Sequence, residues 1–273
     1  MPKRQHPLSK RALAARPTAR AGAPSTRQDR WAGSCGRSSL QPPLALQLFA
    51  NMQRVAIKVT SAITRLATRV QRRPDLVYLG STYGGWWVPS QLVRADAIVY
   101  SAGVGEDVTF DLALIERFGC TVWAMDPTPR SGEFAKSIQD ARFHFLPYGV
   151  WSEDAELRFY APSNPAHVSH SVLNLQRTTE FFTAGCLSLK TFMQRLNHDR
   201  IDVLKIDIEG AEGPVLDAMI RDGIRPLVLC VEFDAVEAPW SLRGRLRRLE
   251  REGYAVCHID DRNYTLTWER DIG

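Results

Sequence analysis

Between residues 76 and 268, short apolar runs of strand length alternate with longer stretches whose apolar side chains recur at helical spacing. Residues 76–89 read as a strand, a glycine-rich turn and an aromatic cap, which either lies by a ligand crevice, where its rings can stack on a ligand, or covers a sheet edge. Core strands are predicted at 97–101, 121–125, 142–147, 201–208 and 227–233, with an added β segment at 156–160. Phe110, Leu114, Ile115 and Phe118 mark one face of a helix that stops at Gly119. Ser188 caps a second helix, with Leu189, Phe192, Met193 and Leu196 inward. Pro214, Val215, Leu216, Met219 and Ile220 belong to a third, stopped at Asp222-Gly223. A fourth carries Leu242, Leu246 and Leu249 on one face and Arg243, Arg245, Arg247, Arg248 and Arg251 on a solvated one. Residues 255–259 and 264–268 flank Asp260-Asp261-Arg262-Asn263 as a terminal hairpin. The alternation predicts an α/β fold, with a mostly parallel, doubly wound sheet closed by a C-terminal antiparallel hairpin.

The run at 201–208 breaks the rule for a strand covered on both faces. Val203, Leu204, Ile206 and Ile208 satisfy it, but Lys205, Asp207 and Glu209 alternate with them, and period-2 geometry puts all three on one face. Buried charges are costly unless they pair, coordinate something or face a ligand. Ligands of open α/β sheets bind at the carboxyl ends of the strands. The charged tip therefore points into a working site, or else Lys205 and Asp207 form an ion pair that only fastens strand to helix.

A second segment supplies a cofactor turn. The strand at 97–101 runs into Ala102-Gly103-Val104-Gly105-Glu106-Asp107, where glycines let the backbone approach a ligand. The next strand ends in Asp126, about 20 residues beyond the turn, where a nucleotide site holds the carboxylate that accepts ribose hydroxyl hydrogens. Val108 stands where a dinucleotide fingerprint requires its third glycine, and Glu106 and Asp107 would repel a diphosphate. A ligand with a ribose and a positive centre suits this turn better. S-adenosylmethionine has both.

Ser101 to Asp107, Asp126-Pro127-Thr128-Pro129 and the stretch Asp202-Val203-Leu204-Lys205-Ile206-Asp207-Ile208-Glu209-Gly210-Ala211-Glu212 together resemble the FkbM family of methyltransferases, over roughly residues 76 to 268. The resemblance implies a Rossmann-like class I fold, S-adenosylmethionine as cofactor, and O-methylation of a hydroxyl on a sugar, glycolipid or secondary metabolite. It implies cofactor contacts at Ser101, Gly103, Gly105, Glu106, Asp126, Tyr148 and Gly149. Two positions depart from the family pattern: Ser101 replaces the acidic residue that usually opens the glycine motif, and Tyr148-Gly149 replaces the usual Asn after the third strand.

O-methylation needs a donor in line with an acceptor oxygen, a base and a shaped pocket. Asp207 and Glu209 are the candidates for base or acceptor-hydroxyl ligand, and this fold puts the tip of that strand near the transferred methyl. The insertion 162–171 holds His167 and His170, and His170 is the third catalytic candidate. That insertion reads as a substrate loop, a metal-ligand pair with Asp207 or Glu209, or an ordinary surface loop; no metal is assigned. Competing readings of the whole chain are a nicotinamide-dependent oxidoreductase and a non-catalytic membrane-surface binding module.

Charge divides the chain. Residues 1–73 hold 15 of the 35 Lys and Arg with a single acid, Asp29, so the remainder is net acidic although the whole chain is +5. The basic excess therefore argues no specific nucleic-acid partner for the folded part. Residues 1–43 lack the apolar content to offset their ordering entropy and read as a disordered leader, either a targeting segment or an untranslated stretch before Met52. Residues 44–73 read as a basic amphipathic helix, with Met52, Val55, Val59, Ile63, Leu66 and Val70 on one face. Such a helix docks on its own domain or makes peripheral membrane contact through 52–70. Residues 74–273 form the expected methyltransferase domain. Five scattered cysteines without paired spacing point to a reducing, cytoplasmic compartment. The acceptor expected is a small molecule or carbohydrate; the sequence does not define an oligomeric state.

Overall fold

The computed structural model describes residues 69–161, 170–174, 178–233 and 239–269. The elements in chain order are β1 (Leu76–Leu79), β2 (Trp86–Pro89), β3 (Ile98–Ala102), α1 (Thr109–Phe118), β4 (Thr121–Met125), α2 (Pro129–Ala135), β5 (Phe143–Leu146), β6 (Gly149–Val150), β7 (Ala155–Tyr160), β8 (Phe181–Leu187), α3 (Leu189–Leu196), β9 (Val203–Ile206), α4 (Glu212–Arg221), β10 (Val228–Glu232), α5 (Pro239–Arg251), β11 (Tyr254–Asp260) and β12 (Asn263–Trp268). Seven strands form the main sheet in the order β11-β12-β10-β9-β3-β4-β5. Strands β10, β9, β3, β4 and β5 run parallel, while β12 and β11 are antiparallel. The expected α/β class, parallel sheet and closing hairpin are thus present.

The alternation of side chains explains why the central strands tolerate no solvent. Val99, Val203 and Val228 are cross-strand neighbours, fully buried in the cluster that contains Phe110 and Leu114 of α1. The neighbours Tyr100, Leu204 and Leu229 point to the other face, into the cluster with Phe192 of α3, Val215 of α4 and Leu246 of α5. Each buried aliphatic side chain contributes about 1.5–3 kcal/mol relative to exposure. The next position on the α1 face is held by Ser101, Lys205 and Cys230. A lysine therefore occupies a core position at the carboxyl end of β9.

Local signals set the helix ends. Gly119 closes α1 in the left-handed conformation (φ 75°), its N–H donating to Ile115 O. The Ser188 side chain accepts from Thr191 N at the start of α3, a cap worth about 1 kcal/mol. Helix α4 begins at Glu212, two residues before the expected Pro214, which sits in the first turn where its missing N–H breaks no helical bond. The four described cysteines, Cys120, Cys186, Cys230 and Cys257, are free and buried.

Three readings of the sequence need correction. Strand β9 ends at Ile206, because Glu209 (φ 56°) and Gly210 (φ 96°) adopt the left-handed conformation and turn the chain away from the pleat. Asp207 and Glu209 therefore lie beyond the strand, and of the three charges only Lys205 keeps a place on its face. The basic helix expected to reach residue 73 does not extend there. Residues 69–75 have no helical structure, and Gln71 N donates to Val256 O at 2.7 Å while its Oε1 accepts from Val256 N at 2.8 Å. The leader and residues 44–68 lie outside the described residues. Finally, the segment after β5 holds more β structure than expected: β6, β8 and β7 form a separate three-stranded sheet. No helix among the described residues is long and apolar enough to cross a membrane.

Candidate active site

Reading across the main sheet, the chain order reverses between β3 and β9, since β4 and β5 continue on one side and β10 on the other. Loops leaving the carboxyl ends of these strands diverge there and leave a crevice. A cavity of about 650 Å³ occupies it, within the range of small-molecule sites. Its floor is the glycine turn after β3 and the tip of β9. Asp126 and Thr128 wall one side; Glu232 and the turn Asp260–Asn263 wall the other.

The floor is fastened by Lys205. Its Nζ donates to Gly103 O at 2.7 Å and lies 3.1 Å from Asp207 Oδ2. Burial opposes the charge, but Asp207 and Asp111 outweigh it and hold the ammonium above its ordinary range. Gly103 (φ 76°) is required by the same closeness: a Cβ there would sit 1.7 Å from Asp207 O. The glycine thus serves the approach of two strand tips. Beneath them Asp111 of α1 is fully buried, and desolvation pushes its carboxyl up to about 6, although Lys205 and then Ser101 act in the opposite direction. Ser101 Oγ and Asp111 Oδ1 nonetheless complete no hydrogen bond of good geometry among the described residues.

Asp126, directly after β4, has both carboxylate oxygens engaged. Oδ2 accepts from Gly105 N at 3.0 Å, and Oδ1 accepts from Thr128 N and Thr128 Oγ1 at 2.8 and 2.6 Å. Each carboxylate oxygen can accept more than one hydrogen. Oδ2 therefore keeps capacity for a ribose hydroxyl while holding the glycine turn in shape. Glu106, next along the turn, pairs with Arg130 at 2.6 Å. The acidic lining leaves little that would welcome a diphosphate and suits a cofactor bearing a sulfonium and an ammonium. These residues fit S-adenosylmethionine.

Of the residues predicted from sequence, Gly103, Gly105, Glu106, Asp126, Gly149, His170, Asp207 and Glu209 line the cavity. Ser101 and Tyr148 do not. Ser101 is fully buried in β3, under the turn and not in it. The Tyr148 ring lies edge-on to Phe192, 6.5 Å between centroids, with the Arg195 guanidinium 5.7 Å from its own. Gly149 is there for packing as well, since a Cβ would meet Cys186 Sγ at 2.6 Å. His170 reaches the cavity because Ser171 bridges to Tyr160 and its Oγ donates to Glu209 O at 2.7 Å. His167 lies outside the described residues, and no group of three metal-ligating side chains occurs among those described.

Sequence reasoning missed part of the lining. Tyr83 lies over a hundred residues before Glu232 and the Asp260–Asn263 turn, and only sheet topology joins the three. The signal for Tyr83 was the glycine-flanked aromatic run, which left cofactor cap and sheet-edge cover equally open. The hairpin β1–β2 does both kinds of work: Trp86 and Val88 join the core on the α1 face, and the turn between its strands reaches the cavity.

Residues 89–256 match the family model described as "Methyltransferase FkbM domain". A curated relative, "Probable methyltransferase-like protein 24" of Rattus norvegicus, is 27% identical over 152 residues, which cover 56% of this chain and 35% of that protein. The chain thus matches about a third of the length of that relative. Similar solved structures include a precorrin-6y C5,15-methyltransferase from Geobacter metallireducens GS-15 (12% identity, TM-score 0.38, 66% of this chain and 85% of that one). Another is Aeropyrum pernix fibrillarin in complex with S-adenosyl-L-methionine (10% identity, TM-score 0.37, 72% and 83%).

Proposed function

Because this chain belongs to the FkbM methyltransferase family, we propose that its S-adenosylmethionine-dependent methyl transfer is directed at a hydroxyl of a sugar, glycolipid or secondary metabolite. The dependence on S-adenosylmethionine follows from the family, and the oxidoreductase reading is set aside with it. Bound there, the cofactor supplies a methyl group activated by the sulfonium. The chain's part is to position it, orient the acceptor and take a proton.

One observation carries the O-methylation reading: the Asp207 carboxylate, partly exposed, enters the cavity beside the glycine turn, with Lys205 fixing one oxygen at 3.1 Å. A carboxylate held this way accepts the hydrogen of an acceptor hydroxyl and turns its oxygen toward the donor side. As the oxygen loses electron density, its proton moves to Asp207 or to His170 across the cavity. Glu209, on the same turn as Asp207, offers a second acceptor for neighbouring hydroxyls. Asp126 and the backbone of the glycine turn hold the ribose end, and Glu106 with its partner Arg130 closes that side.

The reading is tested by radiolabelled methyl transfer from S-adenosylmethionine to a panel of sugar and glycolipid acceptors. Asp207→Asn should lower kcat by about 10²–10⁴-fold, the range for a positioned base, beyond the lower Tm expected when the buried Lys205 loses a counter-charge. Full turnover in that variant together with a much lower Tm would return Asp207 to a fastening role. Asp126→Ala should weaken S-adenosylmethionine binding by about 1.5–3 kcal/mol, read by calorimetry.

A further inference from the structure

The turn between β1 and β2, Gly80 to Gly85, precedes the part of the chain that matches the family. It is built with unusual rigidity for a surface loop. Ser81 is its hub: Oγ donates to Asp107 Oδ2 at 2.6 Å and accepts from Tyr83 N and Gly84 N at 3.1 and 2.9 Å. Ser81 N donates to Thr109 Oγ1 at 2.8 Å, and Ser81 O accepts from the Tyr78 hydroxyl and from Gly85 N. The turn is thus clamped to the first residues of α1. Sterics point the same way, since a Cβ on Gly80 would come within 2.9 Å of the Phe110 backbone and one on Gly85 within 2.5 Å of Ser81 O.

These hydrogen bonds fix the backbone of the turn, yet its one large side chain is left outside. Tyr83 is 85% exposed and lines the cavity. Its hydroxyl is held above the usual phenol range, by slight burial first and then by the charges of Asp207, Glu209, Glu232 and Asp107. Asp207, Glu209 and Glu232 belong to the β9 and β10 end of the crevice, and Asp107 is the carboxylate to which Ser81 clamps the turn. The ring therefore stands exposed at the cavity that the β9 tip also lines. A tyrosine whose backbone is already fixed gives contact area at low entropic cost, with an apolar face and a polar rim.

We propose that Tyr83 is an acceptor-recognition residue, a fixed platform on which the C–H face of a sugar ring stacks while the ring hydroxyls reach Asp207 and Glu209. The proposal rests on the sugar-hydroxyl reading above and names the residue that selects a ring over an open-chain alcohol. It places a specificity determinant outside the family-matched segment, so relatives sharing the glycine turn and the β9 tip can differ in acceptor through this turn alone.

The test uses the full chain saturated with S-adenosylhomocysteine, with methyl β-D-glucopyranoside, methyl α-D-mannopyranoside and n-hexanol as probes in saturation-transfer NMR. Calorimetry with S-adenosylhomocysteine runs alongside as the control for folding and for the cofactor half. At least one glycoside should receive saturation on its ring C–H protons, and n-hexanol markedly less. Tyr83→Ala should cut the glycoside signal by about fivefold, in line with the loss of one aromatic contact, while Tyr83→Phe and Tyr83→Trp retain it. S-adenosylhomocysteine affinity should stay within about twofold of wild type in all three variants, as a side chain away from the ribose end requires. An undiminished glycoside signal in Tyr83→Ala overturns the proposal but leaves the sugar reading intact. Weakening of S-adenosylhomocysteine by tenfold or more (about 1.4 kcal/mol) also overturns it, by moving Tyr83 to the cofactor half. If no glycoside receives saturation from the wild-type chain, the sugar reading fails and the proposal with it.

Discussion

Asp111 shows how one side chain can work against stability for the sake of its surroundings. Its carboxyl is fully buried in α1, and desolvation raises it from 3.8 to about 6 even with the Lys205 ammonium nearby. Between these values the folded chain binds a proton that the unfolded chain has released, so stability falls as pH rises through that window and is level above it. The cost at neutral pH is about 3 kcal/mol. Asp111→Asn removes the titration but leaves Lys205 its bonds to Gly103 O and Asp207. The variant should melt about 6–12 °C higher than wild type at pH 7.5, with the advantage shrinking to nothing near pH 4. Equal melting temperatures across that range would mean that Asp111 is ionised without penalty, its charge fully matched by Lys205. The fall in stability with pH is tolerated at a position that keeps a counter-charge beneath the two strand tips.

Two elements meet at the floor of the cavity, and their contact separates steric need from backbone need. Gly103 and Gly223 both have positive φ, 76° and 71°. A Cβ on Gly223 meets nothing within 4 Å, whereas one on Gly103 would strike Asp207 O. Gly223→Ala should therefore cost only the left-handed conformation, about 1–2 kcal/mol and a few degrees of Tm. Gly103→Ala must also part β3 from the β9 tip, and should lower Tm by more than about 10 °C and abolish binding of S-adenosylhomocysteine. Similar losses in both variants would remove the clash as the reason for glycine at 103. The same elements show what could be read in advance. Period-2 runs with apolar residues on both faces made β3, β4, β9 and β10 legible, and Gly119 and Ser188 marked helix ends through local capping chemistry. Lys205 and Asp207 were legible because charge in such a strand demands a reason. Glu209 was misassigned because the turn at 207–211 depends on left-handed residues that alternation cannot reveal. Strand β8 (Phe181–Leu187) escaped notice since its burial arises from pairing with β7 and β6, a tertiary match its own sequence hardly advertises. That Tyr83 and Asp207 line one cavity needed the three-dimensional order of strands.

At the scale of the whole molecule, fold and charge act together. The reversal between β3 and β9 opens a crevice at one end of the sheet, and the loops that reach it are rich in carboxylates. Glu106, Asp107, Asp126, Asp207, Glu209, Glu232, Asp260 and Asp261 line the cavity against Lys205 and Arg262. Several are matched locally: Glu106 by Arg130, Asp207 by Lys205 and Glu232 by Arg262. The surplus still makes the cavity negative, in keeping with the acidic balance of residues 74–273. A cavity with low-dielectric walls focuses such a field on its ligand. S-adenosylmethionine carries one positive charge more than S-adenosylhomocysteine, so the field favours the substrate over the product and helps the product leave. Salt within a Debye length of about 8 Å at physiological strength screens this preference. The affinity ratio of S-adenosylmethionine to S-adenosylhomocysteine should therefore fall by about two- to fivefold as sodium chloride rises from about 20 to about 500 mM, with most of the change in S-adenosylmethionine itself. Calorimetric titration of both ligands across that series measures it directly. A ratio independent of salt would mean that local ion pairs neutralise the cavity completely, and that substrate and product are told apart by contacts at the sulfur alone.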